Sequence, residues 1–438
     1  MPDPATPGDA GSGSRATLTV GAGLVLLGIS ASVFLILAAR AVGPSAFSGI
    51  AVLWTLVYTV GIGLFLPFEQ EVARALAHRG SRGEGGRPVI VRASQLAFAL
   101  LALSTVLGLA ISPMLVGWLG GSWTNALALF IACAALAGQY VARGVYSGSG
   151  RFMPYAVQIG TEGAVRLVAC AALILAGVSN PIPYALLLAV SPLVSLVVTA
   201  GPLRRLASAR GPRASLAEIS VNLGWLLGAS LAAQGLANLG TLAVTVLSTQ
   251  AEEAAAGHFL AGFTIARSPL FLFAAVQAVL LPGLTRHLAH GRHGSFHRQL
   301  RLIITVVSGL GSLGVLGALL LGPEVLTLLF GQEFEMPRRD LTLLAVSSAI
   351  YMVALALQPA VIALAEHRGN AMSWMIGLAV FGLALLLPAS TFLRVELALI
   401  AGAVAVTTSL AAFLARGVKG LSPIPAETDP ATYRLGME

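Results

Sequence analysis

Charge is what this sequence has least of. Only 10% of its 438 residues are Asp, Glu, Lys or Arg, while 57% are hydrophobic; soluble domains carry roughly 25% charged residues. A water-soluble globule with so few charges would expose a largely apolar surface, so lipid is the expected solvent for much of the chain. Cysteine is nearly absent as well. Cys133 and Cys170 both fall in apolar runs, which implies no disulfide framework. Lysine occurs once, at Lys419, and the net charge of +8 rests on arginines scattered through short polar segments. That pattern fits loops beside a membrane and excludes a nucleic-acid partner. The chain also lacks a Walker-type phosphate loop, a Gly-x-Ser-x-Gly elbow, a zincin motif and a pair of catalytic carboxylates. Neither an ATP-driven pump nor an enzyme is expected, and no cofactor is implied.

What is present is a series of long apolar runs. Leu96 to Ser122 and Leu302 to Gly322 contain no charge at all, and roughly 20 apolar residues suffice to cross the hydrocarbon core as a helix. Backbone groups in lipid must be satisfied within the segment, so helices are the natural reading. The short alternating segments of a membrane β-barrel are missing. The fold class expected is all-α, with about twelve transmembrane helices: Thr17–Ala39, Ala46–Phe68, Arg92–Val116, Thr124–Val141, Pro154–Gly177, Ile182–Leu203, Ile219–Leu247, Ala256–Leu280, Leu302–Leu321, Leu341–Leu364, Ala371–Pro388 and Val395–Leu414. Residues 1–16, rich in Pro, Gly, Asp and Ser, read as a disordered tail. The run that follows them is too long for a signal-peptide core.

Arginine placement orients these spans. With the N-terminus inside, twenty basic residues fall in inside segments, among them Arg79, Arg82, Arg143, Arg204 and Arg213; only Arg40, Arg338, Arg339 and Arg394 fall outside. By the positive-inside rule both termini are cytoplasmic. The even number of spans divides the chain into a bundle at 17–203, a linker at 204–218 and a second bundle at 219–415, followed by a tail at 416–438. Two six-helix halves entering from one side are related by an axis along the membrane normal. Arg74-Ala-Leu-Ala-His78 after the second span and Arg286-His-Leu-Ala-His290 after the eighth support this duplication. So do the small-residue turns Ser48-Gly49 and Ala256-Gly257. Two bundles side by side create a central cleft, the geometry of alternating access.

Polar residues inside the spans are costly, roughly 2.5–3.5 kcal/mol for a charge on insertion scales, and so mark the interior. Arg166 and Arg267 are both central in their spans. Glu162 precedes Arg166 by one helical turn, a spacing that allows pairing; the pair is either a structural link or a charged cavity wall. Arg267 has no acidic partner in its own helix and is expected to meet an anionic substrate, since guanidinium binds two phosphate oxygens at once. Ser230, Gln234, Asn238, Thr241 and Thr245 form a stripe that lines a cavity or packs against a neighbouring helix. Glu69, Glu71 and Arg74 close the second span as an inner gate or an ordinary interfacial salt bridge. Gln139, Gln277 and Gln358 are further polar candidates, and Pro192, Pro269 and Pro359 are expected to kink their helices. His287, His290, His293 and His297 have helical metal-ligand spacing, but Gly291 and Gly294 interrupt them. They are expected to face anionic headgroups and not to bind metal.

Ala39-Arg-Ala-Val-Gly-Pro-Ser-Ala-Phe-Ser-Gly49, Glu71-Val-Ala-Arg74, Gly257 through Arg267, Leu281-Pro-Gly-Leu-Thr-Arg286 and Leu328-Leu-Phe-Gly-Gln-Glu-Phe334 resemble polysaccharide-type flippases. These belong to the multidrug/oligosaccharidyl-lipid/polysaccharide exporter superfamily. The resemblance implies a flippase of the bacterial cytoplasmic membrane that moves polyprenyl-pyrophosphate-linked oligosaccharide between leaflets. It further implies a lipid-linked anionic glycan as substrate, with a glycan polymerase or glycosyltransferases as partners. The drug-exporting branch carries acids inside the first and seventh helices, and Thr17–Ala39 and Ile219–Leu247 carry none. A cation-coupled multidrug exporter and a non-transporting scaffold of a glycan-synthesis complex are the alternatives.

Overall fold

The computed structural model describes residues 9–215, 217–220, 223–249, 254–270, 273, 293–364 and 366–419. Fifteen helices account for nearly all of them: α1 Asp9–Val42, α2 Pro44–Ser81, α3 Arg87–Ala110, α4 Ser112–Trp118, α5 Trp123–Gly148, α6 Phe152–Leu175, α7 Pro181–Val198, α8 Ala200–Leu206, α9 Ala217–Ser220, α10 Leu223–Leu247, α11 Ala255–Ala266, α12 His293–Phe330, α13 Arg338–Ala363, α14 His367–Ala384 and α15 Thr391–Lys419. Eight of the expected spans each lie on a single one of these helices, to within one turn at their ends. Arg92–Val116 is divided between α3 and α4, Ile182–Leu203 between α7 and α8, and Ile219–Leu247 starts on α9 and runs along α10; the eighth begins on α11 and runs beyond the described residues. Among the described residues, nine helices are long and apolar enough to cross a membrane by length and composition. The end of the eighth span, with Gln277, and Arg286, His287 and His290 of the segment after it lie outside the described residues.

The helix pairs follow one scheme twice. In the first half α1 packs on α6, α2 on α5, α3 on α5, α5 on α7 and α6 on α7. In the second half the partners six spans later repeat it: α10 on α14, α11 on α13, α12 on α13, α13 on α15 and α14 on α15. The architecture is therefore two helical bundles of like construction. Burial follows the same symmetry. The apolar windows of α5 and α13 are 72% and 61% buried, whereas those of α3 and α12 are 11% and 17% buried. The outer faces of α3 and α12 carry bare Leu103, Val106, Leu313 and Leu320, surfaces that lipid tolerates and water does not.

The halves meet along α2, which packs against α10 and α11. At the end of the molecule that carries Gly43, the chain turns through a left-handed glycine (φ 78°) into a helix with Pro44 in its first turn. Proline suits that position because its missing N–H would have no partner there. The turn is pressed against the second half. The Gly257 N–H donates to Ser48 Oγ at 3.1 Å, and a Cβ on Gly257 would come within 2.6 Å of the Pro44 carbonyl oxygen. Phe47 meets Phe334 edge-on at 5.9 Å, His258 Nε2 lies 2.9 Å from the Glu333 carbonyl, and Arg40 donates to the Leu328 carbonyl at 2.9 Å. The two small-residue turns singled out in the sequence are thus in contact, and the halves touch at the Gly43 end.

At the opposite end, beyond Ser81, a polar clasp joins α2 to the segment leading into the second half. Arg79 grips Glu218 with Nε and Nη2 at 2.6 and 2.9 Å, and its Nη1 donates to the carbonyls of Gly85 and Pro212. That bidentate grip holds the Glu218 carboxyl below the ordinary carboxylate range.

Candidate functional site

Between the halves lies a cavity of about 430 Å³. Its walls come from α1, α2, α10, α11 and α13, and they are mostly apolar or aromatic. Tyr58 and Trp54 of α2 stack at 4.2 Å on one side. They sit one turn apart where α2 widens into a π-helical segment, Val57–Ile62. Such widened turns recur at functional positions. On the other side stand Phe263, Arg267 and Tyr351.

Arg267 is the cation of this cavity. It caps the end of α11, and its guanidinium lies over the rings of Phe263 and Tyr351, at 4.0 and 5.3 Å from their centroids. Among the described residues it forms no ion pair and its buried Nε has no hydrogen-bond partner. The two aromatic faces supply attraction, about 2 kcal/mol when desolvated, but they satisfy no N–H. The donors face a space able to receive a ligand.

Gln234 and Asn238 also line the cavity, joined by Asn238 Nδ2 donating to Gln234 Oε1 at 3.1 Å. The rest of the expected stripe divides. Thr241 is wholly buried, and Thr245 lines a second hollow of about 470 Å³ at the Gly43 end.

Arg166 and Glu162 stand one layer behind the wall. Both are buried, at 2% and 5% exposure. Glu162 receives Arg166 Nη2 at 2.8 Å on one oxygen; on the other it receives Arg143 Nη2 at 3.0 Å and Gln139 Nε2 at 3.1 Å. Arg166 also donates to Ser191 Oγ at 3.3 Å and to the Tyr58 hydroxyl at 3.4 Å, so its charge reaches the cavity through Tyr58. The sequence places Arg143 in a loop after Val141, but α5 runs on to Gly148 and carries Arg143 into the buried network. No turn signal separates Val141 from Gly148, so the helix had no reason to stop. Tyr58, Trp54 and Tyr351 are site residues that sequence reasoning missed. Aromatics within apolar spans read as core.

The three gate candidates separate. Glu69 accepts from the Tyr155 hydroxyl at 2.8 Å within the first half. Glu71 pairs with Arg74 at 2.6 Å, and Arg74 also donates to the Glu218 carbonyl at 2.7 Å. Glu71 and Arg74 thus belong to the clasp at the Ser81 end, where Arg79, counted in the sequence only as an inside-loop charge, carries the stronger grip.

No family model matches the chain. Among curated proteins it is similar to an uncharacterised protein of Mycobacterium tuberculosis, 26% identical over 418 residues that span 91% of each chain. A second uncharacterised protein of that organism is 27% identical over 403 residues, 87% of this chain and 88% of the other. Among solved structures it superposes on an inward-facing multidrug resistance MATE family transporter of the MOP superfamily, with TM-score 0.68 and 14% identity, covering 94% of this chain and all of that one. The outward-facing form gives 0.63 at 14% identity, with 93% and 96% covered. The Vibrio cholerae MATE transporter VcmN gives 0.65 at 15% identity, with 93% and 98% covered. The chain has the MATE transporter fold. In that fold the cavity with Arg267 lies at the junction of the two bundles, and the repeated helix pairing is its internal symmetry.

Proposed function

We propose that this chain is an alternating-access transporter that moves a lipid-linked anionic substrate, a polyprenyl-pyrophosphate-linked oligosaccharide, from the cytoplasmic to the outer leaflet. The observation that carries this reading is the lone guanidinium of Arg267 in an inter-bundle cavity. A cation in low dielectric without a counter-charge is costly, and a diphosphate supplies both the charge and the acceptor oxygens. Among the described residues the cavity lining contains no acidic group, so an anion meets no repulsion from them. Gln234 and Asn238 offer neutral hydrogen bonds to oxygens beside the phosphate, and Trp54 and Tyr58 present flat faces suited to sugar rings or an isoprenoid chain. Arg166 acts at one remove, polarising Tyr58. In this reading the Gly43 end is outer, both termini are cytoplasmic, and a glycan polymerase or glycosyltransferases work on the same substrate.

The neighbours in fold include transporters named for multidrug resistance, and the aromatic walls would suit a lipophilic cation. A positive residue without a nearby acid disfavours such cargo. Expression of Arg267→Ala in a strain lacking the wild-type gene tests the two together. Loss of surface polysaccharide with normal membrane insertion supports the flippase. Unchanged polysaccharide, with resistance to cationic compounds conferred by the wild type, contradicts it.

A further inference from the structure

A third hollow lies on the flank of the first bundle, away from the junction of the halves. It measures about 460 Å³ and shares no lining residue with the central cavity. α3 and α7 both pack on α5, and the hollow is the groove between them. On its floor Ala134, Ala137 and Gly138 of α5 are small enough to leave the space open. Ile90, Ser94, Ala97 and Leu101 form one wall, at spacings that keep to one face of α3. Leu196, Ala200, Leu203 and Arg204 form the other, along α7 and α8. Phe98 stands on the rim at 71% exposure. The groove therefore opens sideways, on the same surface that α3 gives to lipid.

Length and charge point to the occupant. From Ile90 to Leu101 the wall runs about 16 Å, close to half of the roughly 30 Å hydrocarbon core and so the depth of one leaflet. One turn before Ile90 on the same face is Arg87, and at the same end Arg204 closes the opposite wall. The walls are tied together there by the Arg87 N–H, which donates to the Ala209 carbonyl at 3.0 Å. Arg87 and Arg204 are exposed, and among the described residues neither side chain has a hydrogen bond or an ion pair. α3, α5, α7 and α8 contain no acid. The acids nearest in sequence, Glu84 and Glu218, are held by Arg82 and Arg79.

We propose that this groove binds an anionic diacyl phospholipid from the leaflet at the Ser81 end, the cytoplasmic leaflet in the orientation proposed above. One acyl chain lies over Ala134, Ala137 and Gly138, and the phosphate meets Arg87 and Arg204, as basic pockets between membrane helices receive such headgroups. A choline headgroup finds no free acid to pair with there. The lipid joins α3 to the segment after α8, which Arg79 grips through the Pro212 carbonyl, and so braces the clasp. The site does not depend on what the central cavity carries.

The test titrates the full chain in detergent with phosphatidylglycerol and, separately, with phosphatidylcholine of the same acyl chains, counting bound lipids by native mass spectrometry. The wild type should prefer its first phosphatidylglycerol by about fivefold for each of the two arginines. Arg87→Gln combined with Arg204→Gln should bind the two lipids alike. Ala134→Phe, at an exposed position, should fill the groove and weaken both. Arg151→Gln removes an exposed arginine just after α5, at the same end but outside the groove, and should leave the preference intact. A wild type that does not discriminate, or an Arg151→Gln protein that loses the preference as fully as the double variant, overturns the site. Displacement of the first phosphatidylglycerol by equimolar polyprenyl phosphate assigns the groove to another lipid and overturns it too. Hydrogen exchange in residues 207–213 should slow on addition of phosphatidylglycerol to the wild type and not to the double variant; binding without that change overturns the brace.

Discussion

The two bundles share one helix-pairing scheme and differ in how they treat polar groups. In the first, Glu162 sits between Arg143 and Arg166, and Gln139, Gln158, Ser191 and Ser195 complete the network. Its unpartnered buried polar atoms among the described residues are neutral oxygens of Thr55, Thr59 and Asn125. In the second, Arg267 Nε, both oxygens of Glu396, Thr241, Ser348, Asn370 Oδ1 and Trp374 Nε1 are buried without partners. A satisfied network rigidifies, whereas an unsatisfied buried group costs free energy until a ligand supplies the missing bond. In the proposed reading the first bundle is a fixed wall and the second is the half that waits for its ligand.

The sharpest way to break this contrast is to unbalance the wall. Glu162→Gln leaves two buried guanidinium groups without a counter-charge and should destabilise the protein by about 3–5 kcal/mol, read as a fall in thermal unfolding temperature in detergent. The triple change Arg143→Met, Glu162→Leu, Arg166→Met removes the charges together and should recover most of that loss, because apolar replacement of a whole buried ion cluster is nearly neutral. If the triple variant is no more stable than the single, the network is not a closed unit.

Arg267→Ala should behave in the opposite way. The side chain abandons no ion pair among the described residues, and the loss of its contacts with Phe263 and Tyr351 is offset by removal of an unpaired buried charge, so stability should stay within about 1 kcal/mol, while substrate engagement falls. One lost charge-assisted contact is worth about 1.5–3 kcal/mol, or roughly 10- to 100-fold in affinity. Arg267→Lys should be intermediate, since lysine keeps the charge and loses the planar fork.

The clasp at the Ser81 end is a smaller effect. Glu218 is held below its ordinary value near 4.5. A depressed carboxylate stabilises the folded form above that ordinary value and ceases to do so as pH falls through the lower folded one. Protection from hydrogen exchange in residues 82–86 and 209–215, taken against the intrinsic rate at each pH, should therefore be high at neutral pH and fall below about pH 4.5. Glu218→Gln should show the faster exchange at every pH; equal exchange in both proteins would mean the clasp carries no load. Smallest of all, Tyr58→Phe removes one long hydrogen bond from Arg166 and should cost about 0.5–1.5 kcal/mol. It should lower substrate affinity only if Arg166 acts through that hydroxyl.

Much of the fold was legible because lipid imposes a single rule on every span: an apolar run of sufficient length becomes a helix. The cavity was legible only where a residue was out of place in such a run. Arg267 and Arg166 stood out as charges, and spacing alone paired Glu162 with Arg166. Their difference in setting was not readable, since Tyr58 and Trp54 stand between Arg166 and the cavity, whereas Arg267 lines the cavity directly, over Phe263 and Tyr351. Arg143 was hidden by an expected helix end that α5 overruns. Glu396 lay close to the expected start of its span, where an acid arouses no suspicion; only the packing of α13 over it shows that it has no access to water.

The most direct test is the binding of a polyprenyl-pyrophosphate lipid to the purified protein, wild type against Arg267→Ala, with the uncharged polyprenol as control. The account predicts that the wild type binds the pyrophosphate form at least about tenfold more tightly than the polyprenol, and that Arg267→Ala binds the two alike. Equal preference for the pyrophosphate in both proteins would contradict it.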